Sequence, residues 1–143
     1  MKKITILLAL FLISFSSAIA SAECRLDLTR WKWVDSNKQF GEFFDIKTLK
    51  SYNNHAEVWV CDYYPGDCGI DDCKVRYNEH YHYMLTFINY NNNTIGTKSY
   101  LDRDSQGNVV FSHTKNRIDY DPIVPDSMGE ELATKVRETL YRR

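Results

Sequence analysis

The sequence lacks the features that would assign a function directly. It has no internal repeat, no low-complexity linker and no G-x-S-x-G nucleophile motif, so neither a repeat protein nor a serine hydrolase of that type is indicated. Basic residues are not in excess, with 18 Lys and Arg against 19 Asp and Glu, and they form no basic patch. Nucleic acid is therefore not predicted as a partner. Beyond the first residues, no apolar run is long enough to span a bilayer.

The first residues have the three-part pattern of a secretory signal peptide. Lys2 and Lys3 form a positive start, the run from Ile4 to Phe15 is apolar and uncharged, and Ala20-Ser21-Ala22 is an A-x-A cleavage site. The apolar run is shorter than the roughly 20 residues of a membrane span. We therefore predict cleavage of residues 1–22. One mature β-rich domain, residues 23–143, would then be exported to the periplasm, the cell surface or the medium.

All four cysteines follow the predicted cleavage site. An even number of cysteines in an exported domain predicts two disulfide bonds, for which three connectivities exist. The sequence favours Cys68–Cys73 within one loop and Cys24–Cys61 between the N-terminus and a strand. Lipidation of Cys24 is an open alternative, since lipoproteins carry an acylated cysteine just after the apolar core. Glu23, however, is not the small residue that usually precedes it.

Short stretches rich in β-forming residues, separated by polar turns, predict an antiparallel sheet. We predict about six strands, which lie near residues 30–34, 39–44, 55–63, 80–90, 94–101 and 109–112. Asn53-Asn54 and Asn91-Asn92-Asn93 are turn signals, and the second one predicts a hairpin. Residues 45–49 read as a turn or a single helical turn, and residues 64–77 read as a long loop.

The C-terminal segment has a different periodicity. Met128, Leu132, Val136 and Leu140 recur every four residues, after an S-x-x-E capping box at residues 127–130. This pattern predicts an amphipathic helix whose apolar stripe covers the sheet. The fold class predicted is thus α+β, an antiparallel sheet of about six strands with one C-terminal helix packed on one face.

Two groups of residues resemble metal sites only weakly. His80 and His82 lie two apart on a predicted strand, so their side chains leave the same face. The cysteine spacing matches no zinc motif, and the aspartates between residues 62 and 72 lack the order of an EF-hand. We predict no cofactor and no enzymatic activity. A small metal-dependent or hydrolytic periplasmic enzyme that uses His80 and His82 remains the alternative.

Aromatic residues are concentrated between residues 63 and 100. Tyrosine and tryptophan are favoured at interfaces because each has an apolar body and a polar tip. Trp59, Tyr81, Tyr83 and Tyr90 are the predicted binding residues. One interpretation places the face with Tyr81, Tyr83, Leu85 and Phe87 against the helix and the opposite face against a partner. A sheet covered on both sides is the other interpretation.

Five segments resemble the surface-adhesin protein E family of small exported bacterial proteins: residues 31–35, 44–49, 56–60, 104–109 and 123–130. The resemblance implies an antiparallel sheet with a C-terminal helix. It also implies a non-enzymatic binding role at the cell surface or in the envelope, and a dimer formed through exposed strands. The expected function is recognition of a protein or extracellular-matrix partner, and a structural envelope component without a soluble ligand is a further alternative.

Overall fold

The computed structural model describes residues 26–66 and 79–142. The predicted signal peptide and Cys24, Cys68 and Cys73 lie outside the described residues. The described elements are β1 (Trp31–Ser36), β2 (Gly41–Asp45), β3 (Lys50–Tyr52), β4 (His55–Tyr64), β5 (His80–Asn89), β6 (Thr94–Asp104), β7 (Val109–Thr114), β8 (Tyr120–Pro122) and α1 (Met128–Tyr141).

The eight strands form one open sheet in which every pair is antiparallel. The order is β1-β2-β4-β5-β6-β7, while the short strand β3 pairs with β4 and β8 pairs with β6. Six strands make the main path, as predicted, and the two short strands were not foreseen. Asn53 and Asn54, both with positive φ, form the two-residue turn between β3 and β4. The predicted α+β class is confirmed.

The helix begins at the predicted capping box. The backbone N–H of Glu130 donates to Ser127 Oγ at 3.3 Å, and the Glu130 carboxylate accepts from the backbone N–H of Asp126 at 2.8 Å. Leu132, Ala133 and Val136 are buried, and Leu140 packs beside them. The predicted apolar stripe is therefore the face that covers the sheet.

The two faces of the sheet have separate clusters of buried side chains. The helix packs on a mostly aliphatic cluster that includes Val34, Val58, Val60 and Ile88, together with the ring of Phe44. The opposite face has an aromatic cluster of Leu26, Trp31, Phe43, Cys61 and Tyr81, with Trp59, Tyr63 and Tyr83 packed against it. We call these the helix-covered face and the aromatic face.

The interpretation that placed the β5 face with Tyr81, Tyr83, Leu85 and Phe87 against the helix was wrong. Tyr81 and Tyr83 belong to the aromatic cluster, whereas Met84 and Ile88 pack toward α1. Alternation fixes which residues of a strand share a face, but it does not say which face the helix covers. The side chains of β4 and β5 that pack toward the helix are aliphatic or, for Met84, a thioether, and the rings occupy the opposite face.

Candidate functional site

Aromatic rings of neighbouring strands meet on the aromatic face. The register of β4 and β5 pairs Cys61 with Tyr83 and Tyr63 with Tyr81, so these side chains are cross-strand neighbours. The ring centroids of Tyr63 and Tyr81 are 5.1 Å apart, and those of Tyr81 and Tyr83 are 6.3 Å apart. Such separations are typical of interacting rings. The strands thus form a continuous aromatic surface.

A hollow of about 330 Å³ opens beside this surface. The Trp31 ring reaches from β1 to within 5.6 Å of the Tyr83 ring, measured between centroids. Leu101 is the register partner of Tyr83 on β6. We call this space the aromatic hollow; its lining residues are Arg30, Trp31, Asp45, Thr48, Trp59, Tyr83, Leu101 and Arg103. Its volume is within the range of ligand pockets, about 300–1,000 Å³.

One wall of the aromatic hollow is an ion pair. Asp45 is fully buried, and both of its carboxylate oxygens accept from the Arg30 guanidinium, with an Nε to Oδ1 distance of 2.8 Å. The backbone N–H of Lys47 donates to the same oxygen at 2.9 Å. Burial raises the pKa of Asp45, but the hydrogen bonds from Arg30 and Lys47 outweigh it and hold the pKa below its ordinary value. The charges of Arg30 and Asp45 in this wall therefore neutralise each other, and both Asp45 oxygens have hydrogen-bond donors.

The opposite wall carries a second guanidinium. Arg103 Nη1 donates to the carbonyl oxygen of Gly107 at 3.1 Å, a bond that uses one of its five donors. Burial raises the pKa of Tyr83, so its hydroxyl stays protonated at neutral pH. The aromatic hollow therefore combines ring surfaces, a phenol and an arginine that can meet a carboxylate.

Three of the four predicted binding residues lie on this face. Trp59 and Tyr83 line the aromatic hollow, and Tyr81 is buried beside it. Tyr90 lies on the helix-covered face, where its hydroxyl donates to the Ala133 carbonyl at 3.0 Å. The Arg137 guanidinium lies 4.2 Å from the centroid of the Tyr90 ring. Tyr90 therefore contacts the helix, apart from the other three.

Sequence reasoning missed six lining residues of the aromatic hollow: Arg30, Trp31, Asp45, Thr48, Leu101 and Arg103. Leu101 and Arg103 come to the hollow through the register of β6 on β5, which a single sequence does not encode in any local signal. Arg30 and Asp45 precede and end strands that pair with each other, and Trp31 is the register partner of Asp45. The recurrence of aromatic residues at alternate positions was the only signal in the sequence that pointed to the aromatic hollow.

The two predicted histidines lie on the other side of the sheet. His82 Nδ1 is bonded to the Asp102 carboxylate, and the His80 ring stacks on Tyr64 with centroids 4.3 Å apart. Within residues 26–66 and 79–142, no group of three or more His, Cys, Asp or Glu side chains is arranged to hold a metal ion. Cys61 is buried in the aromatic cluster, and both predicted disulfide pairings stay predictions, because each includes cysteines outside the described residues.

Comparisons of the chain with protein-family models, with curated proteins and with solved structures give no match. No helix in the described part of the chain is long and apolar enough to cross a membrane. Fold and site together define an α+β protein with one helix-covered face and one aromatic face. The resemblance to the surface-adhesin family stays a prediction.

Proposed function

We propose that the protein is an exported, non-enzymatic binding module that recognises a protein partner, for instance a component of the extracellular matrix, through its aromatic face. The aromatic hollow is the observation that carries this proposal. Its lining combines Trp31, Trp59 and Tyr83 with two arginines, and Trp, Tyr and Arg are the residues enriched at interface hot spots. The signal peptide predicted from the sequence supports export to the envelope or surface.

The chemistry of the hollow favours a particular anchor. Its floor of rings and Leu101 accepts an apolar or aromatic side chain, which loses water-exposed surface on binding. Arg103 stands at the wall, one of its five donors is bonded to Gly107 within the described residues, and a guanidinium pairs best with a carboxylate. The preferred partner segment therefore has an apolar anchor residue beside an acidic residue.

The test uses the mature protein, residues 23–143, and measures binding to a panel of purified extracellular-matrix proteins by surface plasmon resonance. For any protein that binds, Trp59→Ala weakens the interaction about 30-fold or more, the effect of losing a hot spot. Leu101→Lys, which fills the hollow with a charged chain, abolishes binding. Tyr52→Ala is the matched control, because Tyr52 is an exposed aromatic residue on β3, outside the hollow.

Retained binding in both hollow variants would disprove the site. An absence of binding to the whole panel is followed by photo-crosslinking in the native host from position 101. An adduct formed from position 101, and not from the exposed helix position 134, supports the proposal. No adduct from either position overturns it. Thermal unfolding of each variant verifies that the fold is intact.

The outer strand β7 supports the proposal of a homodimer. Among the described strands β7 pairs only with β6, and Val109, Val110 and Phe111 are each more than half exposed. An exposed apolar edge strand is a template for pairing with another chain. Sedimentation velocity measures this directly: a dimer that Val110→Lys converts to a monomer supports pairing through β7, and a monomer at all concentrations contradicts it.

A further inference from the structure

A second hollow opens where the last turns of α1 meet the edge of the sheet. Its volume is about 450 Å³. Ser51 on β3 is the register partner of Ala56, which is buried under the helix, so the Ser51 side chain leaves the sheet on the helix-covered face. This space therefore lies on the opposite side of the sheet from the aromatic hollow. We call it the helix-end hollow; its lining residues are Ser51, Asn54, Tyr90, Arg137, Leu140 and Tyr141.

Tyr90 is fixed at both ends in the wall of this hollow. Its backbone N–H donates to the carbonyl oxygen of Asn54 at 2.9 Å, and its hydroxyl donates to the carbonyl oxygen of Ala133 at 3.0 Å. Arg137 follows Ala133 by one helical turn, and its guanidinium lies over the Tyr90 ring, 4.2 Å from the centroid. The ring thus holds the Arg137 side chain in place.

The charge of Arg137 is not answered by an acid. Arg30 and Arg117 each pair with an aspartate, whereas no carboxylate in the described part of the chain pairs with Arg137. None of the residues that line the helix-end hollow is acidic. Contact with the Tyr90 ring restricts the guanidinium and leaves its five N–H donors without an acceptor in the described chain. Arg137 is therefore a pre-organised fork for an anion.

The rest of the lining is neutral and mixed in polarity. The Asn54 side chain is held by the bond from its Nδ2 to Asn91 Oδ1 at 3.0 Å, and its own carbonyl oxygen accepts no bond within the described residues. The hydroxyls of Ser51 and Tyr141 add groups that both donate and accept. Leu140 and the Tyr141 ring provide apolar surface. This combination suits a ligand that has several hydroxyl groups on a carbon ring.

We propose that the helix-end hollow binds a carboxylated sugar of the uronic acid type, with Arg137 as the partner of the carboxylate. A guanidinium meets a carboxylate with two parallel hydrogen bonds. Ser51 and Asn54 then bond the sugar hydroxyls, and the apolar surface at the end of α1 packs against the C–H face of the ring. The site uses no residue of the aromatic hollow, so it does not depend on the proposed binding function.

The size of the hollow agrees with one sugar unit. A cavity of about 150 Å³ admits benzene, so about 450 Å³ accommodates a six-membered ring together with its hydroxyl and carboxylate substituents. Inorganic phosphate is the less suitable occupant, since it would reach Arg137 and leave the neutral lining without a contact. The hollow therefore favours a hydroxylated ring over a simple anion.

The experiment titrates the ¹⁵N-labelled mature protein, residues 23–143, with sodium glucuronate and follows the backbone amides by NMR. A ligand of about 13 non-hydrogen atoms is expected to bind with a dissociation constant of about 1 mM. The shifts should centre on the lining of the helix-end hollow, with glucose and inorganic phosphate each at least about tenfold weaker. Equal binding of glucose or phosphate, shifts centred elsewhere, or no saturation by about 50 mM glucuronate overturns the proposal.

Arg137→Gln tests the carboxylate partner, because glutamine keeps a polar side chain and loses the charged fork. We expect glucuronate affinity to fall about tenfold or more, the effect of losing a charge-assisted pair. Arg117→Gln is the matched control, since it removes the same charge from an exposed residue that does not line the hollow. Unchanged affinity in Arg137→Gln, or an equal loss in Arg117→Gln, contradicts the proposal. Arg137 is exposed, and the amide spectrum of each variant verifies its fold.

Methyl β-glucuronide distinguishes two sources of the ligand, because its methyl group stands where a further sugar would be joined. Binding as tight as that of glucuronate supports the terminal unit of an extracellular glycan as the ligand. Binding at least about tenfold weaker supports the free uronic acid. Neutral methyl β-glucoside is the control, and equal binding of the glucoside and the glucuronide overturns the role of the carboxylate.

Discussion

The two faces of the sheet differ in the partners of their buried acids. On the aromatic face, Asp45 is fully buried and receives both a guanidinium and a backbone N–H. On the helix-covered face, Glu42 and Asp62 are nearly as buried, and they are register partners whose carboxyl groups hydrogen-bond to each other through a shared proton. A buried acid with a counter-charge stays ionised, whereas two neighbouring buried acids raise each other's pKa and share a proton.

The apolar residues differ between the faces as well. The helix covers Val58, Val60 and Ile88, whose compact branched side chains pack closely beneath α1. The face without the helix has Trp59, Tyr63 and Tyr83, whose rings pack against the aromatic cluster and stay partly exposed. Aliphatic packing provides stability, and an aromatic surface next to water is the composition of an interface.

The largest expected effect on stability comes from removing packing on the helix-covered face. Phe44→Ala removes a ring that is almost fully buried under the helix, and we expect a loss of about 3–5 kcal/mol in the free energy of unfolding. Trp33→Ala, on the aromatic face and nearly half exposed, costs about 1 kcal/mol. Urea denaturation of both variants measures the contrast. Equal losses would mean that the two faces contribute equally to stability.

The second prediction concerns Glu42, the buried acid whose neighbour is another acid. Because the folded-state pKa of Glu42 is raised from 4.5 to about 8, its contribution to stability is lost as the pH rises through that range. Because glutamine does not titrate, the stability of the Glu42→Gln variant does not fall in this way. We expect the stability of the variant relative to the unmodified protein to rise by about 2–4 kcal/mol between pH 4.5 and pH 8.5. A difference that does not change with pH would show that Glu42 is ionised in the fold throughout.

The third prediction concerns the paired acid, with the opposite sign. The pKa of Asp45 is lowered in the folded protein, so its pairing stabilises the fold above the unfolded pKa, and that stability is lost as the pH falls. Arg30→Ala leaves Asp45 buried without its counter-charge. We expect a cost of about 2–3 kcal/mol at pH 7, less than for a fully buried pair because Arg30 is 39% exposed. The cost shrinks in acid; a cost that is constant from pH 7 to pH 3 would contradict this account.

The smallest expected effect concerns the N-cap of the helix. Ser127→Ala removes the acceptor for the Glu130 N–H and is expected to cost about 1 kcal/mol. Thr134→Ala, an exposed position in the same helix, is the control and is expected to change stability by less than about 0.5 kcal/mol. Thermal unfolding compares the two. A larger loss of stability in the control than in Ser127→Ala would contradict a stabilising role of the cap at Ser127.

Local signals in the sequence predicted much of the fold. The Asn53-Asn54 turn, the capping box at Ser127 and the four-residue spacing of Leu132 and Val136 each depend on neighbours within a few residues. Two short strands, β3 and β8, were missed because three residues are too few to establish an alternating pattern.

The sites depend on register, and register is not local. Glu42 meets Asp62 because β2 pairs with β4, and Leu101 meets Tyr83 because β6 pairs with β5. A shift of one residue in either pairing would move the side chain to the other face. Alternation on β5 correctly grouped Tyr81 with Tyr83 on one face. Which face the helix covers could not be predicted from β5 alone, because it depends on the residues of all the paired strands.

The burial of Leu26 in the aromatic cluster has a practical consequence for attaching the protein to a surface or a dye. Leu26 belongs to the same buried cluster as Trp31 and Tyr81, so a bulky group attached at position 26 would disturb the aromatic face. At the other end of the described chain, Tyr141 is 84% exposed at the end of α1. Immobilisation through the C-terminal end of the helix therefore leaves the aromatic hollow accessible, and a sensor built in that orientation measures binding without disturbing the site.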